Sequence, residues 1–276
     1  MLGKLLKQEF RATGRIMLPI FGALLILSVL ANFSIRMMDQ EVTNSAVLNF
    51  LFVFLIVVFV LGIFGAMLMT LLLMISRFHR NLLKDEGYLM HTLPVSVHGL
   101  VWSKMIVSLV WFIVTGLIVT AILFLTGLIQ SGTNLADLFV QFPSWAELKE
   151  ILIGEGIRTG DIARFFAEWI VLMIVGILTT CLHFYAAMAM GHMFNKDKIL
   201  LSIVFFVVIS FVLSLMTSLL GFRVNDVMLT AETFGPKEIF GFTHKLLVFS
   251  LGTEVFQGAL LYFATTLSLR RGLNLA

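Results

Sequence analysis

Six long apolar runs dominate the chain, and polar residues collect between them. The runs cover residues 16–35, 47–75, 101–129, 166–190, 199–222 and 246–269. A segment that crosses a lipid bilayer must satisfy its own backbone hydrogen bonds, so it is a helix of about 20 apolar residues or a strand of a closed barrel. None of the runs alternates with a period of two, as barrel strands do. The pattern predicts an all-α integral membrane protein with six transmembrane helices in one transmembrane domain, residues 1–276.

The basic residues predict how these helices are oriented. If the N-terminus lies inside, the inner segments hold twelve Lys and Arg against four Asp and Glu, and the outer segments hold seven against twelve. Cytoplasmic segments of membrane proteins carry the excess of Lys and Arg. We therefore expect both termini and residues 77–99 in the cytoplasm, and residues 130–165 and 223–245 outside.

Residues 1–15 show a second pattern, that of an amphipathic helix. Apolar residues recur at helical spacing opposite basic ones, namely Leu2, Leu5, Leu6 and Phe10 against Lys4, Lys7 and Arg11. This pattern predicts an interfacial helix that leads into the first span. The alternative is a signal peptide, because residues 29–31 loosely resemble a cleavage site. We expect no cleavage, because the segment is patterned along its length.

Composition supports a membrane protein and excludes several function classes. Of the 276 residues, 59% are hydrophobic and 13% are charged, whereas soluble domains have about 25% charged residues. Mean hydropathy is +1.03. The net charge of +3 reflects the loops that face the cytoplasm, so we expect no nucleic-acid partner. No GxxxxGK[ST], HExxH or GxSxG motif is present, so we expect a protein that is not an enzyme and does not itself hydrolyse ATP.

One predicted span carries a polar stripe. Ser250, Thr253, Glu254 and Gln257 follow one another at helical spacing in the sixth run. A carboxylate that faces lipid is costly, so the stripe should face protein or a water-filled cavity. Two interpretations stay open. Glu254 reaches the outer interface or pairs with Lys245, or the stripe lines a substrate path near its outer exit.

A cysteine and two histidines, residue types that can bind a metal, lie in or just after the fourth run. Cys181 and His183 lie two residues apart and so point to different faces of a helix, and His192 lies nine residues beyond His183. We therefore expect no metal site there. Packed or hydrogen-bonded side chains are the favoured interpretation.

The first cytoplasmic segment, residues 77–99, mixes charged residues with apolar ones that water would not favour in a free loop. Pro94 disfavours helical backbone at Leu93, and Ser96 can cap the helix that follows. The segment is therefore predicted to hold a short helix between two long ones. That helix either lies on the lipid surface or docks a cytoplasmic partner.

This loop resembles that of a known family. The run KDEGYL at residues 84–89, followed by TLPVS at 92–96 and by Lys104, is similar to the first cytoplasmic loop of ATP-binding cassette transporter permeases of the second exporter group, as found in Gram-positive bacteria. Residues 5–15 and 270–275 resemble that family's N-terminal interfacial helix and basic terminus.

The resemblance implies a permease subunit in a bacterial cytoplasmic membrane that pairs with a second copy or a related permease. It implies a coupling helix that docks two separate ATPase subunits, through Asp85, Glu86, Gly87, Tyr88, Leu89, Leu93 and Pro94. ATP and Mg²⁺ would bind the partner ATPase, and this chain would hold no cofactor. The implied activity is export of a peptide antibiotic or another amphipathic molecule. The alternatives are a non-transporting scaffold or sensor docked to an ATPase, and a stand-alone secondary transporter.

Overall fold

The computed structural model describes residues 2–39, 45–83, 96–131, 150, 153–154, 156–194, 197–228 and 236–271. Within these ranges the chain forms six long helices: α1 Leu2–Asp39, α2 Ala46–Phe78, α3 Val97–Ser131, α4 Thr159–Gly191, α5 Lys198–Met228 and α6 Pro236–Arg271. A π-helical turn, His79–Leu83, follows α2 directly. None of the residues in the described ranges belongs to a β-strand.

All six helices contain a stretch that is long and apolar enough to cross a membrane. Each predicted span lies inside one of them, which confirms the all-α class in the described ranges and gives six helices that could span a membrane, as in a multi-pass membrane protein. The helices extend beyond the apolar runs at both ends. This difference arises because a helix, once formed, gains one hydrogen bond for each further residue, whether or not that residue is apolar.

The predicted interfacial segment and the first span form a single helix. α1 runs from Leu2 to Asp39 without interruption, and Pro19 lies inside it. The two faces expected in the first turns are present: Lys4, Lys7 and Arg11 are exposed, whereas Leu5, Leu6 and Phe10 are partly buried. The amphipathic segment and the first apolar span are therefore parts of one continuous helix.

The chain divides into two compact units. One unit contains Met1–Ser76 and Ile106–Ser144, and the other contains Arg77–Met105 and Trp145–Ala276. The first unit therefore holds α1 with most of α2 and α3. The second holds α4, α5 and α6 together with both ends of the predicted coupling loop.

In the first unit, hydrogen bonds between helices accompany an apolar core. The indole N–H of Trp111 donates to Thr13 Oγ1 over 2.8 Å, and Asn32 Nδ2 donates to Thr126 Oγ1 over 3.0 Å. These pairs show that α1 and α3 run parallel. Inside a membrane such bonds replace those that water would make. The core residues beside them are Leu24, Ala31, Phe59, Ala66, Val119 and Ile122.

In the second unit, α6 packs along α4 and runs parallel to it. Near the start of both helices the rings of Phe165 and Phe240 lie 5.2 Å apart. Further along, Thr179 Oγ1 donates to the carbonyl of Glu254 over 3.3 Å. A Cβ added to Gly258 would lie only 3.1 Å from the same Thr179 oxygen, so the two helices approach closely there.

α5 packs against α4 in the antiparallel direction. A Cβ added to Gly191, at the end of α4, would overlap the backbone of Ser202 near the start of α5. Glycine is therefore what lets the two helices touch. His183 lies between the same helices: its Nε2 is 3.1 Å from Ser210 Oγ, and its ring stacks on Phe206. His183 is thus packed and hydrogen-bonded, as the sequence analysis favoured, and Cys181 is fully buried.

Candidate functional site

The predicted ATPase-docking residues belong to the loop between α2 and α3. All seven of them lie outside the described residues, namely Asp85, Glu86, Gly87, Tyr88, Leu89, Leu93 and Pro94. The structure does describe the chain on both sides of this loop, at residues 77–83 and 96–105. The helices that these two ends contact are the ones that a displacement of the loop would move.

The end that precedes the loop is fixed to α4. The rings of Phe78 and Tyr185 stack with centroids 4.0 Å apart, and both side chains are fully buried. One residue further on, His79 Nε2 lies 3.2 Å from His192 Nε2. His192 Nδ1 is 2.9 Å from the carbonyl of Met188, and a carbonyl can only accept, so Nδ1 carries the hydrogen. In a neutral His192, Nε2 is then the acceptor, and His79 is the donor of the bond between the two rings.

The end that follows the loop is fixed to α6. Arg270 Nη2 donates to His98 Nε2 over 2.7 Å, and His98 Nδ1 lies 2.6 Å from the hydroxyl of Tyr262. Because arginine can only donate, Nε2 must be unprotonated, and the Nδ1–H of His98 donates to the tyrosine oxygen. The predicted cap of α3 is confirmed, since Ser96 Oγ accepts from the N–H of Gly99 over 3.2 Å.

Side chains next to the loop are deeply buried. Leu82 and Val101 are 0% exposed, and even Lys104 is only 4% exposed. These residues belong to the same compact unit as α4, α5 and α6. Close-packed side chains transmit displacement because they leave little free space to absorb it. A displacement of the loop would therefore reach α4 and α6.

The polar stripe predicted on the last span lies on α6 and partly faces α5. Gln257 is 9% exposed, and its Nε2 donates to Thr217 Oγ1 of α5 over 2.8 Å. Thr253 Oγ1 donates to the carbonyl of Ser250 within α6. Gln257 therefore faces protein, as predicted. Its partner Thr217 is a polar group that the sequence analysis did not single out.

Glu254 is partly buried and forms no ion pair with Lys245, which was one of the arrangements left open for its side chain. Both side chains belong to the described part of the chain, and no ion pair joins them. The two residues are nine positions apart on one continuous helix, or about 13.5 Å at 1.5 Å per residue. This separation is too long for an ion pair.

A cavity that the sequence analysis missed opens where α4 and α6 begin. Its volume is about 220 Å³, and its lining includes Gly156, Asp161, Arg164, Lys237, Phe240 and His244. The charge pattern predicts that these helix ends are outside. The spacing of Arg164 and Glu168, four residues apart, could have predicted an ion pair on this part of α4. The convergence of α4 and α6 was not visible in the sequence.

Several charged groups around this cavity are paired. Glu168 Oε1 accepts from Arg164 Nε over 3.0 Å, and Glu168 Oε2 lies 2.6 Å from His244 Nδ1. The side chain of Glu168 is only 14% exposed. Asp161 Oδ2 accepts from the N–H of Arg158 over 3.3 Å, which caps the start of α4. Both carboxylates are thus held in place by their partners.

Within the described ranges, no group of three or more His, Cys, Asp or Glu side chains is arranged so that it could hold a metal ion. Comparisons of the chain with protein-family models, with curated proteins and with solved structures found no match.

Proposed function

We propose that this chain is the transmembrane permease subunit of an ATP-binding cassette transporter that exports a peptide antibiotic or another amphipathic molecule. The loop sequence at residues 84–96 with Lys104 is the main support, because it resembles the coupling loop of that family. Six helices long enough to cross a membrane agree with such a subunit. Two separate ATPase subunits and a second permease, either a copy of this chain or a related one, complete the proposed transporter.

One structural observation carries the mechanism: both ends of the loop are anchored to helices of the same compact unit. Phe78 and His79 contact α4, and His98 contacts α6. A docked ATPase that closes on ATP would push the loop, and the anchors would pass this movement to α4 and α6. Rigid-body movement of packed helices is a common way to switch between states.

The docking residues have separate roles in this proposal. Tyr88 and Leu89 fill a groove on the ATPase, and Asp85 and Glu86 pair with basic groups at its rim. Aromatic anchors surrounded by polar contacts carry most of the binding free energy in such interfaces. The cytoplasmic position of the loop is part of the proposal and follows from the charge pattern.

The polar stripe of α6 is proposed to line the substrate path. It offers Ser250, Thr253, Gln257 and the carboxylate of Glu254 at helical spacing on α6. Polar groups inside a membrane helix are costly unless they face protein or a water-filled route. Since α6 also carries Arg270, the helix that would receive the movement of the loop is the one that carries the stripe.

Purification of the chain together with an ATP-binding cassette ATPase, if a neighbouring gene encodes one, tests the proposal. We expect copurification and ATP hydrolysis that a transported substrate stimulates. The double variant Tyr88→Ala/Leu89→Ala should lose on the order of 2 kcal/mol of docking free energy. A matched control is Phe263→Ala/Leu260→Ala, because both side chains are exposed on α6 and lie outside the loop. Unchanged copurification of the loop variant would contradict the docking role. Docking without any substrate stimulation would favour the scaffold alternative.

A further inference from the structure

The contact between His98 of α3 and Arg270 of α6 requires a neutral histidine. Arg270 Nη2 donates to His98 Nε2 over 2.7 Å. A protonated imidazole carries a hydrogen on both ring nitrogens and has no acceptor left. The guanidinium of arginine is always charged. Protonation of His98 would therefore place two N–H donors and two positive charges against each other.

The other ring nitrogen of His98 is already occupied. Nδ1 lies 2.6 Å from the hydroxyl of Tyr262, to which it donates. The rings of His98 and Tyr262 stack with centroids 5.7 Å apart, and the ring of Trp102 lies 6.2 Å from that of Tyr262. These contacts hold the orientation of the imidazole. Nε2, the nitrogen that faces Arg270, is therefore the one that takes up the proton.

No negative charge beside His98 would compensate for this proton. In the part of the chain that the structure describes, the titratable and charged groups in contact with His98 are Tyr262 and Arg270, both on α6. No carboxylate of these residues forms an ion pair with His98. Lys104, six residues further along α3, is buried and has a partner of its own. Arg270 is exposed at its helix end, so it can move away into water when His98 becomes charged.

The contact joins two helix ends that are predicted to lie in the cytoplasm. His98 is the second residue of α3, and Arg270 is the last but one of α6. Histidine is the side chain whose charge changes near neutral pH. The proton concentration on this side of the membrane therefore acts directly on the contact.

We infer that the His98–Arg270 contact is a pH-sensitive link between α3 and α6, closed near neutral pH and opened by acidification of the cytoplasm. The bond from His98 Nδ1 to Tyr262 persists in both states, because Nδ1 carries a hydrogen in both. The end of α6 at Arg270 is therefore the part that is released. In the proposed transporter this release would loosen one attachment of the coupling loop, and only that consequence rests on the proposed function.

Thermal unfolding of the purified full-length chain in detergent tests the link. The unmodified chain, Arg270→Gln, His98→Gln and the double variant are compared at about pH 7.5 and about pH 5.5, on either side of the usual histidine titration. With His98 present, Arg270→Gln should lower the unfolding midpoint by about 2 °C at the higher pH, because a hydrogen bond is lost. At the lower pH it should leave the midpoint unchanged or raise it, because the two charges repel each other there.

His98→Gln supplies an acceptor that does not titrate. In this background the effect of Arg270→Gln should be the same at both pH values. The other histidines titrate in all four chains, so their contribution cancels in the comparison. Lys245→Gln is the matched control, since it removes an exposed basic side chain from the same helix far from His98. It measures any general benefit of lower positive charge in acid.

The link is overturned if, with His98 present, Arg270→Gln has the same effect at both pH values. A pH dependence of equal size in the His98→Gln background or in Lys245→Gln would also overturn it. None of these measurements involves an ATPase or a substrate. Failure of the link and failure of the proposed function can therefore be told apart.

Discussion

Phe78 and Tyr185 stack with their ring planes only 8° apart, and neither ring is exposed. Phe78 is the last residue of α2, and Tyr185 lies in the second half of α4. The contact therefore fixes the chain to α4 just before the loop that is proposed to dock the ATPase. A loss of this stack should affect both the stability of the protein and the coupling of the loop to α4.

Tyr185→Ala should lower the free energy of unfolding by about 3–5 kcal/mol, because it removes a buried aromatic ring and leaves a cavity. The midpoint of thermal unfolding in detergent measures this effect. Tyr185→Phe keeps the ring and should lie much closer to the unmodified chain. If Tyr185→Ala unfolded at the same temperature as the unmodified chain, the stack would not anchor the loop.

Gly191→Ala should destabilise the protein by about 1–3 kcal/mol, the usual cost of overpacking a tight contact. The added methyl would overlap the backbone of Ser202, so α4 and α5 would have to separate at this contact. Gly176→Ala is the matched control, since it lies on the same helix with nothing within 4 Å of an added Cβ. Thermal unfolding of the two variants should therefore differ clearly, and equal midpoints would contradict the close approach of α4 and α5.

The predicted topology can be tested by labelling single cysteines in intact cells. In a Cys181→Ala background, Gln130→Cys should react with a thiol reagent that does not cross membranes, because the end of α3 is predicted to be outside. Met193→Cys, just after α4, should be protected. Both positions are exposed in the structure, so burial would not explain a difference. Reaction at Met193→Cys with protection at Gln130→Cys would reverse the predicted orientation.

The helices could be predicted because their cause is local. A run of about 20 apolar residues in a membrane can only satisfy its backbone as a helix or within a closed barrel. Ser96 could be assigned as a cap for the same reason, since its partner Gly99 is three residues away. The stripe on α6 also followed from spacing alone.

The contacts that connect distant parts of the chain could not be predicted. His79 and His192 are 113 residues apart, and His98 and Arg270 are 172 apart. No spacing or motif in the sequence indicates that His79 contacts the end of α4 or that His98 contacts the end of α6. The cavity beside Lys237 was missed for this reason, because it exists only once α4 and α6 lie side by side. A pair of Glu254 with Lys245, one of the alternatives left open, could have been excluded from the helical rise alone, because nine residues of helix separate the two by about 13.5 Å.

The last prediction concerns the carboxylate of Glu254. Its side chain is partly buried on the face of α6 that also carries Gln257, and Gln257 bonds α5. Glu254→Gln preserves the shape of the side chain and removes its charge. If Glu254 lines the proposed path, transport of a cationic substrate should fall on the order of tenfold, since a hydrogen bond to a charged group contributes about 1.5–3 kcal/mol. Expression and ATPase docking should be unchanged.

Glu150→Gln provides the control, because it removes an exposed carboxylate from the segment that is predicted to lie outside. Transport by this variant should equal that of the unmodified chain. A neutral substrate supplies a second control, since loss of the Glu254 charge should affect it little. Full transport of the cationic substrate by Glu254→Gln would remove Glu254 from the path. The stripe would then serve only to hold α6 against its neighbours, as Gln257 does through Thr217.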